Sequence, residues 1–209
     1  MARQGRPAGY SRAGGPRRTW PNPEPVSWLF RKQPRARSME PSTDIYQDFF
    51  IMSQRIDYAQ ASPDGYKAFG AVHAYLRHCG LPEALVNLVY LRVSQINGCA
   101  YCIDMHSRDL LKQGVTVDKL VLVPVWREGG AVFSAREQAA LAWAECVTRV
   151  AETGVPDADY AAAAAEFSDK ELADLTYAIG LMNAFNRLGV TFRNTPAAAR
   201  KAAVTATTA

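Results

Sequence analysis

From residue 62 to about residue 190, apolar residues recur at spacings of three and four between clear helix starts and stops, a pattern that confines the chain to an all-α fold. Ser62-Pro63-Asp64 offers an N-cap followed by proline at the first helical position, and Tyr66, Phe69, His73 and Leu76 continue along one face. Gly80 stops that helix. Pro82 opens another, with Leu85, Leu88, Val89 and Val93 on its apolar positions, and Asn97-Gly98 is a stop and turn signal. The next helix is expected from about 99 to 114, and a short one from 116 to 123. Ser134-x-x-Glu137 and Ser168-x-x-Glu171 are capping boxes, in which the serine and the glutamate satisfy each other's free backbone N–H groups. The first opens a helix carrying Leu141, Ala144, Val147 and Val150, ended by Gly154 and Pro156. The second opens a long helix carrying Leu172, Leu175, Ile179, Met182 and Leu188. An alanine-rich helix lies between them, from about 157 to 167. Strand-like alternation is weak and confined to 45–51. The pattern predicts one all-α domain of about six to seven helices over residues 41–194, without an internal repeat.

The flanks differ from this domain. Residues 1–40 are rich in Arg, Pro and Gly with little periodicity, and are expected to form a disordered basic extension, or to precede a true start at Met39. Residues 195–209 are Ala/Thr-rich and are expected to form a flexible tail. Residues 1–38 hold nine basic residues against one acid, so +8 of charge; the whole chain carries +4, which leaves −4 for the rest. A mildly acidic domain is not expected to bind nucleic acid. No run of 18 apolar residues occurs, and no apolar stretch in the basic extension suits a secretory signal, so neither a membrane span nor export is expected.

The chemistry concentrates at one place. Of the four cysteines, Cys79 and Cys146 stand alone, while Cys99 and Cys102 form a C-x-x-C pair with His106 one turn later. Spacings of three, four and seven put all three side chains on one side of a helix. Free N–H groups and the helix dipole at a helix start favour a thiolate, and a nearby histidine can shuttle its proton. The cysteine count suits a reducing, cytoplasmic setting better than a secreted disulfide scaffold. Redox chemistry is the leading reading, but the residues also leave open a metal site or a structural role. Zinc would need a fourth ligand, with His73, His78, Cys79, Cys146 or an acid elsewhere as candidates. His73 on its apolar face is expected to be a packed histidine, and Cys146 a buried hydrophobe. Asn183, Asn186 and Arg187 lie at helical spacing and could cap neighbours or face the site, with a structural role the leading expectation.

The run Leu91-Arg-Val-Ser-Gln-Ile-Asn-Gly-Cys-Ala-Tyr-Cys-Ile-Asp-Met-His106 closely resembles the signature of the AhpD-like alkylhydroperoxidase branch of the carboxymuconolactone decarboxylase superfamily. Trp126-Arg-Glu128, Ser134-x-Arg-Glu-x-Ala-Ala-Leu-Ala-Trp143 and Asn183-Ala-Phe-Asn-Arg187 are similar in a looser sense, so that the resemblance covers residues from about 55 to 193. It implies an all-helical homo-oligomer that reduces hydroperoxides, or relays thiols and disulfides, with no bound cofactor or metal. An external thiol or protein reductant would restore the dithiol. By resemblance Cys102 is the peroxidatic sulfur, Cys99 its resolving partner, and His106 part of a proton relay. In the family pattern a glutamate lies twelve residues before the first cysteine; here that position is Asn87, which cannot accept a proton at neutral pH. Glu83, one turn earlier, is a substitute acting through water or else a solvated residue at a helix start.

Two rivals are a metal-binding or non-catalytic oligomeric scaffold protein and a decarboxylase of the superfamily's other branch, whose chemistry needs no dithiol. The composition of the basic extension generates one test. Deleting residues 1–38 should leave thermal stability nearly unchanged; a drop in Tm of more than about 5 °C would show that the segment packs on the domain.

Overall fold

A computed structural model describes residues 53–207. The expected basic extension, and the weak strand signal at 45–51, lie outside the described residues. Ten α-helices and no strand occur among those that are described. We number them α1 (Tyr58–Ala61), α2 (Pro63–Leu76), α3 (Glu83–Asn97), α4 (Ala100–Lys112), α5 (Val117–Leu122), α6 (Ala135–Thr148), α7 (Val150–Thr153), α8 (Asp157–Ala164), α9 (Asp169–Thr191) and α10 (Ala197–Thr207). Two 3₁₀ turns, Val123–Glu128 and Gly130–Val132, join α5 to α6.

Seven of these helices are those that the apolar periodicity predicts. The other three have local causes. Asp57 caps α1, a single turn, by accepting from the N–H groups of Ala59 and Gln60. The helix expected to continue to 153 breaks at Arg149, and α7 follows as a separate turn. There the Thr153 hydroxyl donates to the Cys146 carbonyl at 2.9 Å, and Val150 is left exposed rather than on the apolar face. The alanine-rich tail forms α10, whose Ala198 N–H donates to Asp104 of α4. Both predicted capping boxes are present in full, Ser134–Glu137 and Ser168–Glu171.

α3 organises the domain. Residues 85 to 91, with Val93 and Ser94, are all buried, so the helix is covered on nearly every side, by α4, α6 and α9. One core cluster joins α3, α6 and α9 through residues such as Val89, Val93, Leu175 and Ile179, and takes in both Cys99 and Cys102. A second, of Leu88, Leu91, Leu110, Trp126, Phe133 and Leu141, lies on the other side of α3. Beside it sits a buried ionic cluster. The Glu145 carboxylate accepts from Arg92 of α3 at 2.6 Å, from the Trp126 indole N–H at 3.0 Å, and from Arg127. It ties α6 to α3 and to the 3₁₀ segment.

No helix of the described residues is long and apolar enough to cross a membrane. The ionic cluster predicts that Glu145→Ala destabilises the domain by about 3 kcal/mol, because Arg92 is left buried and unpaired. Ser168→Ala, which removes one cap, should cost only about 1 kcal/mol. Urea denaturation of the two variants checks the order.

Candidate active site

The dithiol is built by the turn that ends α3. Gly98 takes the left-handed conformation, φ +68°, that a side chain disfavours. The chain then doubles back, and the Cys99 N–H donates to the Ser94 carbonyl at 3.0 Å. Cys99 is therefore the N-cap of α4 rather than its first helical residue. Its sulfur accepts from the Cys102 N–H at 3.4 Å, in the role usually taken by a serine or aspartate oxygen. Cys102 and His106 follow on the buried face of α4, as their spacing predicts, and the structure brings Cys99, Cys102 and His106 together in the interior. Both cysteines are free thiols.

Burial and hydrogen bonding set the charges. The pair gives up its first proton more readily than an ordinary thiol. Cys99 is pushed down to about 7 because the Cys102 S–H and the Cys102 N–H donate to its thiolate, which outweighs the effect of burial. The second proton, on Cys102, is held well above the ordinary range. Removing it would break the bond that Cys102 donates to Cys99, and would place a second buried charge beside the first.

His106 is 4% exposed, and its Nδ1 lies 3.1 Å from the Asn87 Oδ1. An amide oxygen only accepts, so this assignment puts the proton on Nδ1 and leaves a lone pair on Nε2, which has no partner among the described residues. The Tyr90 ring lies 5.0 Å away, centroid to centroid. Burial pushes the imidazole down to about 4, only partly opposed by Asp109, so it is neutral at pH 7.

Two cavities meet at His106. One, of about 510 Å³, has Cys102 and His106 in its wall, facing Tyr58, Tyr66, Tyr101 and Phe185. The other, of about 420 Å³, is lined by His106 with Asn87, Tyr90, Glu83 and Asp109. Cys99 lines neither. His73 borders both cavities and is exposed; the packed position expected for it does not form, because α2 buries only Leu76. Glu83 is likewise exposed. Cys79 and Cys146 stay apart from the pair. Cys79 donates to the Leu76 carbonyl, and buried Cys146 contacts Thr153 and Asp159. No group of three or more His, Cys, Asp or Glu side chains is arranged to hold a metal ion among the described residues.

α9 supplies what sequence reasoning missed. Asn186, expected to be structural, is 1% exposed and sits beside the dithiol. Gly189, one turn on, faces both sulfurs: a Cβ there would stand 3.0 Å from Cys99 Sγ and 3.7 Å from Cys102 Sγ. The only signal in the chain was the Asn183-Ala-Phe-Asn-Arg187 segment, and it does not reach Gly189.

Residues 63–145 match the model of the carboxymuconolactone decarboxylase family. The chain is 33% identical over 143 residues to the uncharacterised protein YdfG of Bacillus subtilis, an alignment that spans 68% of this chain and 97% of YdfG. The chain belongs to the carboxymuconolactone decarboxylase family. A solved structure from Agrobacterium tumefaciens, a protein of unknown function proposed to be the antioxidant defence protein AhpD, is 42% identical, with a TM-score of 0.67 over 69% of this chain and 98% of that one. The AhpD core of a peroxidase-related protein from Ralstonia eutropha is 25% identical, with a TM-score of 0.59 over 66% and 73% of the two chains. At 20% identity the debrominase Bmp8 shares the fold, with a TM-score of 0.61 over 68% and 76%. The all-α fold is thus that of AhpD-like members of the carboxymuconolactone decarboxylase family, a fold that serves more than one chemistry. The family match ends at Glu145, so Asn186 and Gly189 lie beyond it.

The neutral His106 makes stability depend on pH. Its folded pKa lies below the unfolded value near 6.5, so below that pH the unfolded chain binds the extra proton. Stability is full above about 6.5 and falls as pH drops towards 4, by on the order of 2 kcal/mol. His106→Gln should flatten this slope, and urea titrations between pH 7 and 4 measure it. The exposed His73, shifted in the same direction, is common to both proteins and cancels.

Proposed function

We propose that the chain is a cytoplasmic, homo-oligomeric thiol oxidoreductase that reduces hydroperoxides through Cys99 and Cys102. The observation that carries this reading is the asymmetry of the pair. Cys102 opens onto the aromatic cavity, whereas Cys99 lies behind it, in contact with Cys102 and out of reach of that cavity. When the pair gives up its first proton, the charge rests on Cys99 and the remaining proton on Cys102. Shifting that proton along the bond between the two sulfurs moves the charge to Cys102. The Cys102 thiolate then attacks the nearer peroxide oxygen, the O–O bond breaks, and the alkoxide leaves with a proton to become an alcohol. Cys102 is now a sulfenic acid. Attack by Cys99 on its sulfur forms the disulfide and releases water. The dithiol has lost two electrons, and two equivalents of an external thiol, or one dithiol protein, restore it.

His106 is the proton carrier in this scheme. The departing alkoxide needs one proton, and the neutral imidazole, which borders both cavities, can carry it there from the second cavity, where Glu83 and Asp109 reach water, and return to its neutral form. Asn87 orients the ring but accepts no proton, so the relay here lacks the carboxylate of the family pattern. The size and aromatic lining of the Cys102 cavity suit a bulky organic hydroperoxide better than hydrogen peroxide.

Peptide mapping after a pulse of an organic hydroperoxide should find a Cys99–Cys102 disulfide with Cys79 and Cys146 still reduced; earlier oxidation of either lone cysteine refutes the scheme. In single-turnover thiol oxidation, His106→Ala should slow the reaction. Asn87→Glu should accelerate it, by less than the roughly 100-fold typical of acid–base help, since the carboxylate enters a pocket not prepared for it. An unchanged rate and pH profile in Asn87→Glu would show that no relay runs through position 87.

A further inference from the structure

The helix that backs the dithiol carries none of the C-x-x-C motif, yet two of its residues meet the sulfurs. Asn186 and Gly189 are one turn apart on the buried face of α9. The Asn186 side chain is fixed at both ends. Its Oδ1 accepts from Asn97 Nδ2 at 2.9 Å, and its Nδ2 donates to the Ser94 hydroxyl at 3.0 Å and to the Met182 Sδ at 3.4 Å. Ser94 is completely buried, and its carbonyl is the group that holds the Cys99 N–H. The same residue thus anchors the backbone of Cys99 and the amide of Asn186.

At Gly189 the space is taken by sulfur. A Cβ 3.0 Å from Cys99 Sγ is closer than carbon and sulfur tolerate, so any side chain there must displace the thiol. Glycine in a helix interior is less stable than alanine by roughly 0.5–1 kcal/mol, a cost that a purely structural position would avoid. Because Gly189 also borders the aromatic cavity, the gap it leaves is shared by the sulfurs and whatever approaches them.

We infer that Asn186 is a positioning residue of the dithiol: bonded to Asn97 and Ser94, it fixes the last turn of α3 from which Cys99 hangs, while Gly189 keeps the space of its own side chain free for the two sulfurs. Asn186 and Ser94 stand where they favour a thiolate on Cys102, and Asn186 does the same for Cys99. A buried thiolate has no water shell, so donors fixed in the protein replace it.

The inference rests on the reading of Cys99 and Cys102 as a reactive pair, but its test needs no peroxide. The pH dependence of iodoacetamide alkylation at Cys99 and Cys102, followed by peptide mass spectrometry on the full-length protein, reads thiolate directly. The titratable groups that share the cavity with Cys102 are Tyr58, Tyr66, Lys67, His73, Tyr101 and His106. All are unchanged in the variants. Asn186→Leu, similar in size but without a donor, should raise the alkylation midpoint by about one pH unit, or tenfold less thiolate at a given pH below it. Ser94→Ala, a smaller change, should raise it less, and serves alone if the leucine variant does not fold. Midpoints equal to that of the parent, with a lowered Tm, would overturn the inference and leave Asn186 a structural residue. Gly189→Ala should slow alkylation at least about tenfold, because the added methyl group takes the space of the Cys99 sulfur and narrows the approach to Cys102. Alkylation at the parental rate would overturn the role of the glycine. If the midpoints shift but no hydroperoxide oxidises the pair, the positioning role stands and the peroxidase reading fails.

Discussion

The left-handed turn at Gly98 is the constraint on which the site depends. α3 is buried along most of its length, so its end is fixed by packing against three other helices; the chain leaves it through an exposed Gly98 and is buried again at Cys99. The turn reverses direction within one residue. It places Cys99 where its N–H finds the Ser94 carbonyl and its sulfur finds the Cys102 N–H. There is open space around Gly98, so the constraint is its positive φ: a β-branched residue there would be strained, and relieving that strain would shift both sulfurs from their place at the start of α4. The helix start, the dithiol and the histidine one turn later all follow from that single reversal.

The same turn creates an electrostatic problem, because it puts three ionisable side chains in the core. They are accommodated in different ways. His106 stays neutral, since burial costs an imidazolium more than nearby Asp109 returns. The two thiols share a single charge: one sulfur carries it, while the other keeps its proton and donates to the first. Fixed donors complete the arrangement, from the first turn of α4 on one side and Asn186 on the other. The contrast with Glu145 is instructive. That carboxylate is also buried, but it is fully charged and paired with two arginines and an indole N–H, and it lines no cavity with the dithiol. One cluster holds helices together; the other leaves its charge exchangeable.

The position of His106 between two cavities separates two kinds of traffic. The aromatic cavity reaches Cys102, and the more polar one reaches Asn87, Glu83 and Asp109. In the proposed reaction, substrate and protons therefore take different routes to the site. Asn87 in contact with Nδ1 sets the tautomer without changing charge, so the proposed proton path runs through the solvated cavity rather than through a fixed carboxylate.

Much of the fold was legible in the sequence because its signals are local. Capping boxes, Asn97-Gly98, proline at a helix start and spacings of three and four act over a turn or two of chain. They located seven helices, and placed Cys102 and His106 on one face. The break at Arg149 was not legible, since it depends on the Thr153 hydroxyl reaching back to the Cys146 carbonyl. Nor was the exposure of His73, whose apolar neighbours on α2 find little to pack against. By itself, then, the sequence determined the all-α class, the turn and the C-x-x-C-x-x-x-His constellation. Only the tertiary structure decided which sulfur meets a cavity, that His106 is neutral, and that Asn186 and Gly189 back the dithiol. Those depend on α9 crossing α3 and α4 some ninety residues along the chain from the motif, and on how completely water is excluded there. Neither distance in space nor depth of burial is written in local spacing.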